Sequence, residues 1–157
     1  MCIDKQDDAV SEYRREFREA PIAIAGGHVG LLLQCLKLFE VGPAPELPVV
    51  AWSAGAMSLT ERVVLYNDRG PSGVVGAEVW DRGLGRAPRI VAMPHARRRL
   101  RMDDPMVLRV LARRFGDARC LLLDDGAAVE VSPDGELPAG ARVIGEDGHL
   151  RTFGDAP

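Results

Sequence analysis

The sequence predicts an α/β fold, a sandwich of helices around a largely parallel central sheet. Three observations carry that prediction. Short apolar runs alternate with helix-spaced apolar positions over the first two thirds of the chain, the pattern of strands joined by crossover helices. The tail instead shows short strands divided by Pro133-Asp134-Gly135 and Asp147-Gly148, the pattern of hairpins. Finally, three predicted strands run directly into Gly26-Gly27, Ser53 and His95. In open parallel sheets, sites form at the carboxyl ends of strands.

The elements follow in order. Residues 4–20 place Val10, Tyr13 and Phe17 at helical spacing among charges, an amphipathic helix with one apolar stripe. Pro21 ends it, and 21–25 is a short buried strand. Val29, Leu32, Leu33, Leu36 and Phe39 mark a second, more buried helix, broken by Gly42-Pro43-Ala44-Pro45. The run 47–52 is a buried strand stopping at Ser53. Residues 61–66 read as a strand, 67–73 as an exposed turn, and 74–86 as Gly-rich and irregular. A strand over 89–93 ends at Pro94-His95. Asp103-Asp104-Pro105 is a cap followed by proline at the first helical position, and that helix runs to about Phe115, with Met106, Leu108, Val110 and Leu111 available for burial. Strands are then expected over 120–123, 127–131 and 141–144, with a last one ending at Phe153.

The chain has 157 residues and 46% hydrophobic content, enough for one domain with a single core. It divides into the N-terminal helix (1–20), the core (21–131) and a C-terminal β segment (132–157). No apolar run approaches the roughly 20 residues that span a bilayer, and the charged N-terminus lacks the apolar stretch of a secretory signal. A net charge of −3 supplies no electrostatic basis for a nucleic-acid or membrane partner. Three cysteines, Cys2, Cys35 and Cys120, have no C-x-x-C spacing. Cys35 and Cys120 read as small core residues of a cytoplasmic protein, with neither a zinc site nor a disulfide framework. No metal or cofactor is expected.

The chemistry centres on Ala51-Trp52-Ser53-Ala54-Gly55-Ala56. Small residues around Ser53 allow a tight strand-to-helix turn that holds its hydroxyl clear of the sheet, the mechanical requirement of a nucleophile elbow. A serine needs a base, and the base needs an orienting group. Of the three histidines, His28 opens a helix and His149 sits in the C-terminal β segment. His95, ending a strand, is the natural base. Asp68 and the Asp124-Asp125 pair are the candidate acids. The Gly26-Gly27 turn leaves backbone N–H groups unpaired at a helix start, so the Gly27 N–H can join that of Ala54 in an oxyanion hole.

These residues resemble the dipeptidase E and cyanophycinase family of serine peptidases. Ile24-Ala25-Gly26-Gly27-His28 is similar to the family's G-G-N turn, and Trp52-Ser53-Ala54-Gly55-Ala56 to its W-S-A-G-A. Asn67-Asp68 resembles an Asn-Asp that follows the elbow, and Pro94-His95 a Pro-His. Ala96-Arg97-Arg98-Arg99-Leu100 resembles the basic stretch after the histidine. The run from Leu122 through Asp124-Asp125 to Ala128 resembles an acidic strand end. Together these matches span 21–131, and the W-S-A-G-A element is the most specific of them.

The resemblance implies a class I glutamine amidotransferase-like (flavodoxin-like) three-layer fold. It further implies a hydrolase that cleaves small peptides, aspartyl peptides among them, through an acyl-enzyme on Ser53. His95 would be the base, Asp68 the orienting acid with Asp124 or Asp125 as alternatives, and Gly27 and Ala54 the oxyanion donors. The family's aspartyl preference needs a cation, for which Arg97, Arg98, Arg99 and Arg101 are near in sequence, with Arg97 and Arg99 first among them. The chain departs from the pattern at His28, in place of asparagine, and at Ala51, in place of glycine. Only twenty residues precede Pro21, where the family has a β-α-β portion. A homo-oligomer, or a partner subunit covering the shortened sheet, is therefore expected. The other reading is a shortened, inactive member that serves in binding or assembly.

Overall fold

The apolar triplets on either side of the first crossover helix pair with each other. In the computed structural model, which describes residues 21–40, 47–67 and 76–154, β1 (Ile22–Ile24) and β2 (Val49–Ala51) run parallel, Ile22 opposite Val49 and Ile24 opposite Ala51. The helix expected over 4–20 and the candidate acid Asp68 lie outside the described residues. Helix α1 (Val29–Leu38) links the two strands and buries Val29, Gly30 and Leu33. Trp80 covers this end closely, for a β-carbon on Gly30 would lie 3.0 Å from its ring. Burial stops there. Leu32 and Leu36 are only half-buried, Phe39 is exposed, and Cys35 is exposed where a core position was expected. The spacing of α1 marked a stripe along its whole length, but the packing uses its first half.

Helix α2 (Ala54–Leu59) follows β2 and buries Ala54, Gly55, Met57 and Ser58. Its two hydroxyls are satisfied locally: Ser58 Oγ donates to the Gly55 carbonyl at 2.7 Å and Thr60 Oγ1 to that of Met57 at 2.7 Å. Strands β3 (Arg62–Asn67) and β4 (Gly76–Arg82) form an antiparallel pair with an irregularity at Val63/Val64. β4 replaces the irregular segment expected over 74–86. Gly76 within it, with Gly83 and Gly85 just after, weakens the local strand preference, and the ladder to β3 overrides it. Lys37 donates to Asp81 at 2.8 Å, joining α1 to β4, and that bond holds the Asp81 carboxyl below its ordinary range.

The second half is built on β5 (Ile90–Pro94), buried at every position and parallel to β6 (Arg119–Leu123). β7 (Arg142–Ile144) and β8 (Leu150–Thr152) extend this sheet antiparallel. Between β5 and β6 lie α3 (Ala96–Arg99) and α4 (Pro105–Arg114). Asp104 caps α4, accepting the Met106 and Val107 N–H groups at 3.0 and 3.2 Å. Leu108, Leu111 and Ala112 make its buried line, leaving Met106 and Val110 exposed although both were available for burial. The stretch 127–131 is not a strand. Val129 and Val131 pack half-buried over β5 and β6 without a ladder partner.

The fold is thus mixed α/β, with three small sheets among the described residues. The β1–β2 and β5–β6 pairings are parallel and the rest antiparallel. Along β6 the residues alternate between two cores. Cys120 and Leu122 join Leu33, Met57, Val63, Met93 and Phe115, whereas Leu121 joins Ile90, Leu137 and Val143. Burial pushes the Cys120 thiol up to about 12, so it behaves as an apolar filler. The β1–β2 pair, by contrast, leaves one face open, with Val50 66% and Trp52 53% exposed. Among the described residues no helix is long and apolar enough to cross a membrane.

Candidate active site

Ser53 sits between β2 and α2 with φ 52° and ψ −121°. A non-glycine residue in such a conformation costs roughly 1–3 kcal/mol and persists only when its surroundings impose it. Here they do. The Trp52 N–H donates to the Ile24 carbonyl at 3.1 Å, and the Trp52 carbonyl accepts the Gly55 N–H at 3.0 Å. The Ser53 carbonyl accepts the Met57 N–H at 3.1 Å. The chain therefore enters α2 within one residue of leaving the sheet. Gly55 is required by space, because a β-carbon there would lie 2.2 Å from the Ile24 carbonyl oxygen. Gly26 lies against the serine itself: a β-carbon on it would be 3.1 Å from Ser53 Cβ and 3.3 Å from Oγ.

The Gly26-Gly27 turn and the elbow are thus side by side, as the parallel register of β1 and β2 demands. Gly27 has φ 138°, open chiefly to glycine. Neither its N–H nor that of Ala54 is taken up by a hydrogen bond among the described residues. The Ser53 hydroxyl is likewise unbonded among them. His28 caps α1, its Nδ1 accepting the Leu31 N–H at 3.3 Å. That is a task asparagine performs well, so the histidine at this position retains a capping function.

His95 occupies the corresponding place after β5, in the left-handed region at φ 55°, ψ 39°. Its N–H donates to the Leu123 carbonyl at 2.9 Å. Its ring Nδ1 lies 3.0 Å from Asp125 Oδ1. An ionised carboxylate only accepts, so Nδ1 carries the proton in this contact and Nε2 is left as the basic nitrogen. The neighbouring Asp124 faces elsewhere. Its Oδ1 accepts the Arg97 N–H at 2.9 Å, while Oδ2 lies 3.4 Å from Arg97 Nε and 3.5 Å from Arg142 Nη1. A cleft of about 240 Å³ is lined by His95, Arg97, Arg98, Asp124 and Asp125.

The arginines that follow His95 diverge. Arg97 is engaged by Asp124, and the Arg99 guanidinium lies over the Tyr66 ring, 4.7 Å from its centroid. Arg98 lines the cleft without an ion-pair partner among the described residues. Arg97 and Arg99 stood first among the four candidates, and nothing in the run Arg97-Arg98-Arg99 distinguished Arg98 from them. The carboxylate meeting His95 is Asp125. Both aspartates follow β6 in sequence, and only the pairing of Pro94 with Leu123 shows how the two strand ends lie together.

Two half-sites result. Ser53 stands with Gly26, Gly27 and Ala54; His95 stands with Asp124 and Asp125. Helix α2, which Ser53 immediately precedes, packs against β5, which His95 immediately follows. No hydrogen bond joins Ser53 to His95, and Ser53 does not line the His95 cleft. Among the described residues, no three potential metal-binding side chains converge. Compared with family models, with curated proteins and with solved structures, the chain matches none.

Proposed function

We propose that the protein is a serine hydrolase of small peptides, aspartyl peptides among them, and that its parallel strand pairs belong to a three-layer, class I glutamine amidotransferase-like sandwich. The backbone of Ser53 is the observation that carries this reading. A serine held at φ 52°, ψ −121° between a strand and a helix, with a glycine against its side chain, has the backbone geometry of a nucleophile elbow and little structural use otherwise.

In the proposed reaction Ser53 Oγ attacks the scissile carbonyl carbon as His95 Nε2 takes the hydroxyl proton. Asp125 holds the imidazole through Nδ1 and stabilises the imidazolium. The oxyanion is received by the free N–H groups of Gly27 and Ala54. His95 then passes its proton to the leaving amine, and the C–N bond breaks to leave an acyl-Ser53. A water molecule, deprotonated by His95, attacks the ester and restores the hydroxyl. Ser53 and His95 close to hydrogen-bond distance in the substrate complex, since such bonds commonly tighten only there.

The missing Ser53–His95 hydrogen bond favours a second reading, a binding or assembly protein that retains the elbow without the chemistry. Labelling with a fluorophosphonate probe separates the two. The hydrolase reading expects covalent labelling at Ser53, none in Ser53→Ala, and a rate lowered by about 10²–10⁴ in Asp125→Asn, the range a positioned base supplies. A folded wild-type protein that does not label leaves the binding reading standing.

A further inference from the structure

Three consecutive residues at the end of β6 grip the segment that carries His95. The Leu123 carbonyl takes the His95 N–H, the Asp124 carboxylate takes the Arg97 N–H, and the Asp125 carboxylate meets the His95 ring. We propose that Asp124 is a positioning residue, which holds His95 in its left-handed conformation and thereby keeps the imidazole against Asp125. The proposal rests on the reading of His95 as the base.

Histidine at φ 55°, ψ 39° is disfavoured relative to the right-handed region, because its β-carbon crowds the following carbonyl oxygen, so something must hold it there. Helix α3 is four residues long and supplies little stability of its own. Within that turn the Arg98 and Arg99 N–H groups donate to the His95 carbonyl at 3.0 and 3.1 Å, which leaves the Arg97 N–H to the Asp124 carboxylate. The Asp124 side chain is only 15% exposed, whereas that of Asp125 is 80% exposed. Arg142 on β7 also lies 3.5 Å from Asp124 Oδ2, and so holds the carboxylate from a second element. The more sheltered aspartate therefore fixes the backbone, and the exposed one meets the ring. Without Asp124, only the Leu123 carbonyl still ties this backbone to the end of β6, so His95 relaxes towards the right-handed region and its Nδ1 turns away from Asp125.

The imidazole tautomer reports this directly. A free neutral imidazole favours the proton on Nε2, whereas the contact with Asp125 selects Nδ1–H. Nitrogen-15 NMR of His95, at a pH where its ring is neutral, should show Nδ1–H in the wild type and Nε2–H in Asp124→Ala. Asp124→Asn keeps an acceptor for the Arg97 N–H and should retain the wild-type tautomer. Labelling by the fluorophosphonate should fall by about 10²-fold in Asp124→Ala, the scale expected for a small misplacement of a reacting group, and recover in Asp124→Asn. Should Asp124→Ala not fold, Asp124→Leu removes the same acceptor while filling the space of the aspartate, and should shift the tautomer likewise. Retention of Nδ1–H in a folded Asp124→Ala or Asp124→Leu overturns the proposal. The tautomer is read without activity, so a wild type that never labels would sink the hydrolase reading alone.

Discussion

At Ser53 the side chain that would do the chemistry also strains the backbone that presents it. Glycine reaches φ 52°, ψ −121° without a β-carbon penalty, whereas serine there costs roughly 1–3 kcal/mol. Glycine gives back about 0.5–1 kcal/mol through its freer unfolded chain. Ser53→Gly is therefore expected to be up to about 2 kcal/mol more stable than the wild type in urea unfolding, while losing all labelling. Ser53→Ala keeps a β-carbon and should stay near wild-type stability. If Ser53→Gly proves less stable than Ser53→Ala, the backbone at the elbow is not strained. The place of Ser53 was legible because a turn this tight needs small neighbours, and Ala54, Gly55 and Ala56 provide them. The pairing of His95 with Asp125 was not legible in the same way. Asp124 and Asp125 are chemically identical neighbours, and only the position of β6 beside β5 assigns one to the backbone and the other to the ring.

Among the elements, α3 shows how one short turn sorts three identical side chains. Successive helical residues point about 100° apart, so Arg97, Arg98 and Arg99 cannot share a face. One reaches Asp124, one the cleft, one the Tyr66 ring. A substrate carboxylate in the cleft would find Arg98 as its unengaged guanidinium and form a charge-assisted pair worth roughly 1.5–3 kcal/mol. Arg98→Gln should then lower kcat/KM for an Asp-containing peptide by about one to two powers of ten and leave its Asn-containing analogue nearly unchanged. Arg99→Gln should affect both substrates alike. Equal losses for the two substrates in Arg98→Gln would make Arg98 an ordinary surface charge. Legibility at this scale followed the same physics. Strands with continuous apolar runs, such as β5 and β6, were readable from sequence, because burial on both faces demands such runs. β4 was not, since Gly76, Gly83 and Gly85 in and after it hide a strand that exists through its pairing with β3. The stretch 127–131 erred the other way, apolar enough for a strand but lacking a neighbour to pair with.

Over the whole molecule, the two half-sites depend on a core that neither contains. Ser53 directly precedes α2 and His95 directly follows β5, and between them Met57, Val91 and Met93 pack in one cluster with Val63, Leu108 and Phe115. Ile90, Leu121, Leu137 and Val143 form the second cluster, on the opposite face of the β5–β6 pair. Stability draws on both clusters, whereas the packing of α2 on β5, which sets the spacing of Ser53 from His95 in the proposed hydrolase, draws on the first. Met57 is 3% exposed and Leu137 6%, so truncating either to alanine should destabilise by about 2–5 kcal/mol through lost burial and a residual cavity. Their effects on chemistry should separate. Met57→Ala loosens α2 on β5 and lets Ser53 shift relative to His95, and a displacement near 1 Å can cost about 10²-fold. Leu137→Ala leaves that contact intact. Under conditions where both variants remain folded by circular dichroism, fluorophosphonate labelling should therefore drop by one to two powers of ten in Met57→Ala and stay within about threefold of wild type in Leu137→Ala. Equal slowing in the two variants would tie labelling to global stability and break the proposed link through α2. An unchanged rate in Met57→Ala would mean that the α2–β5 contact does not set the distance between serine and base.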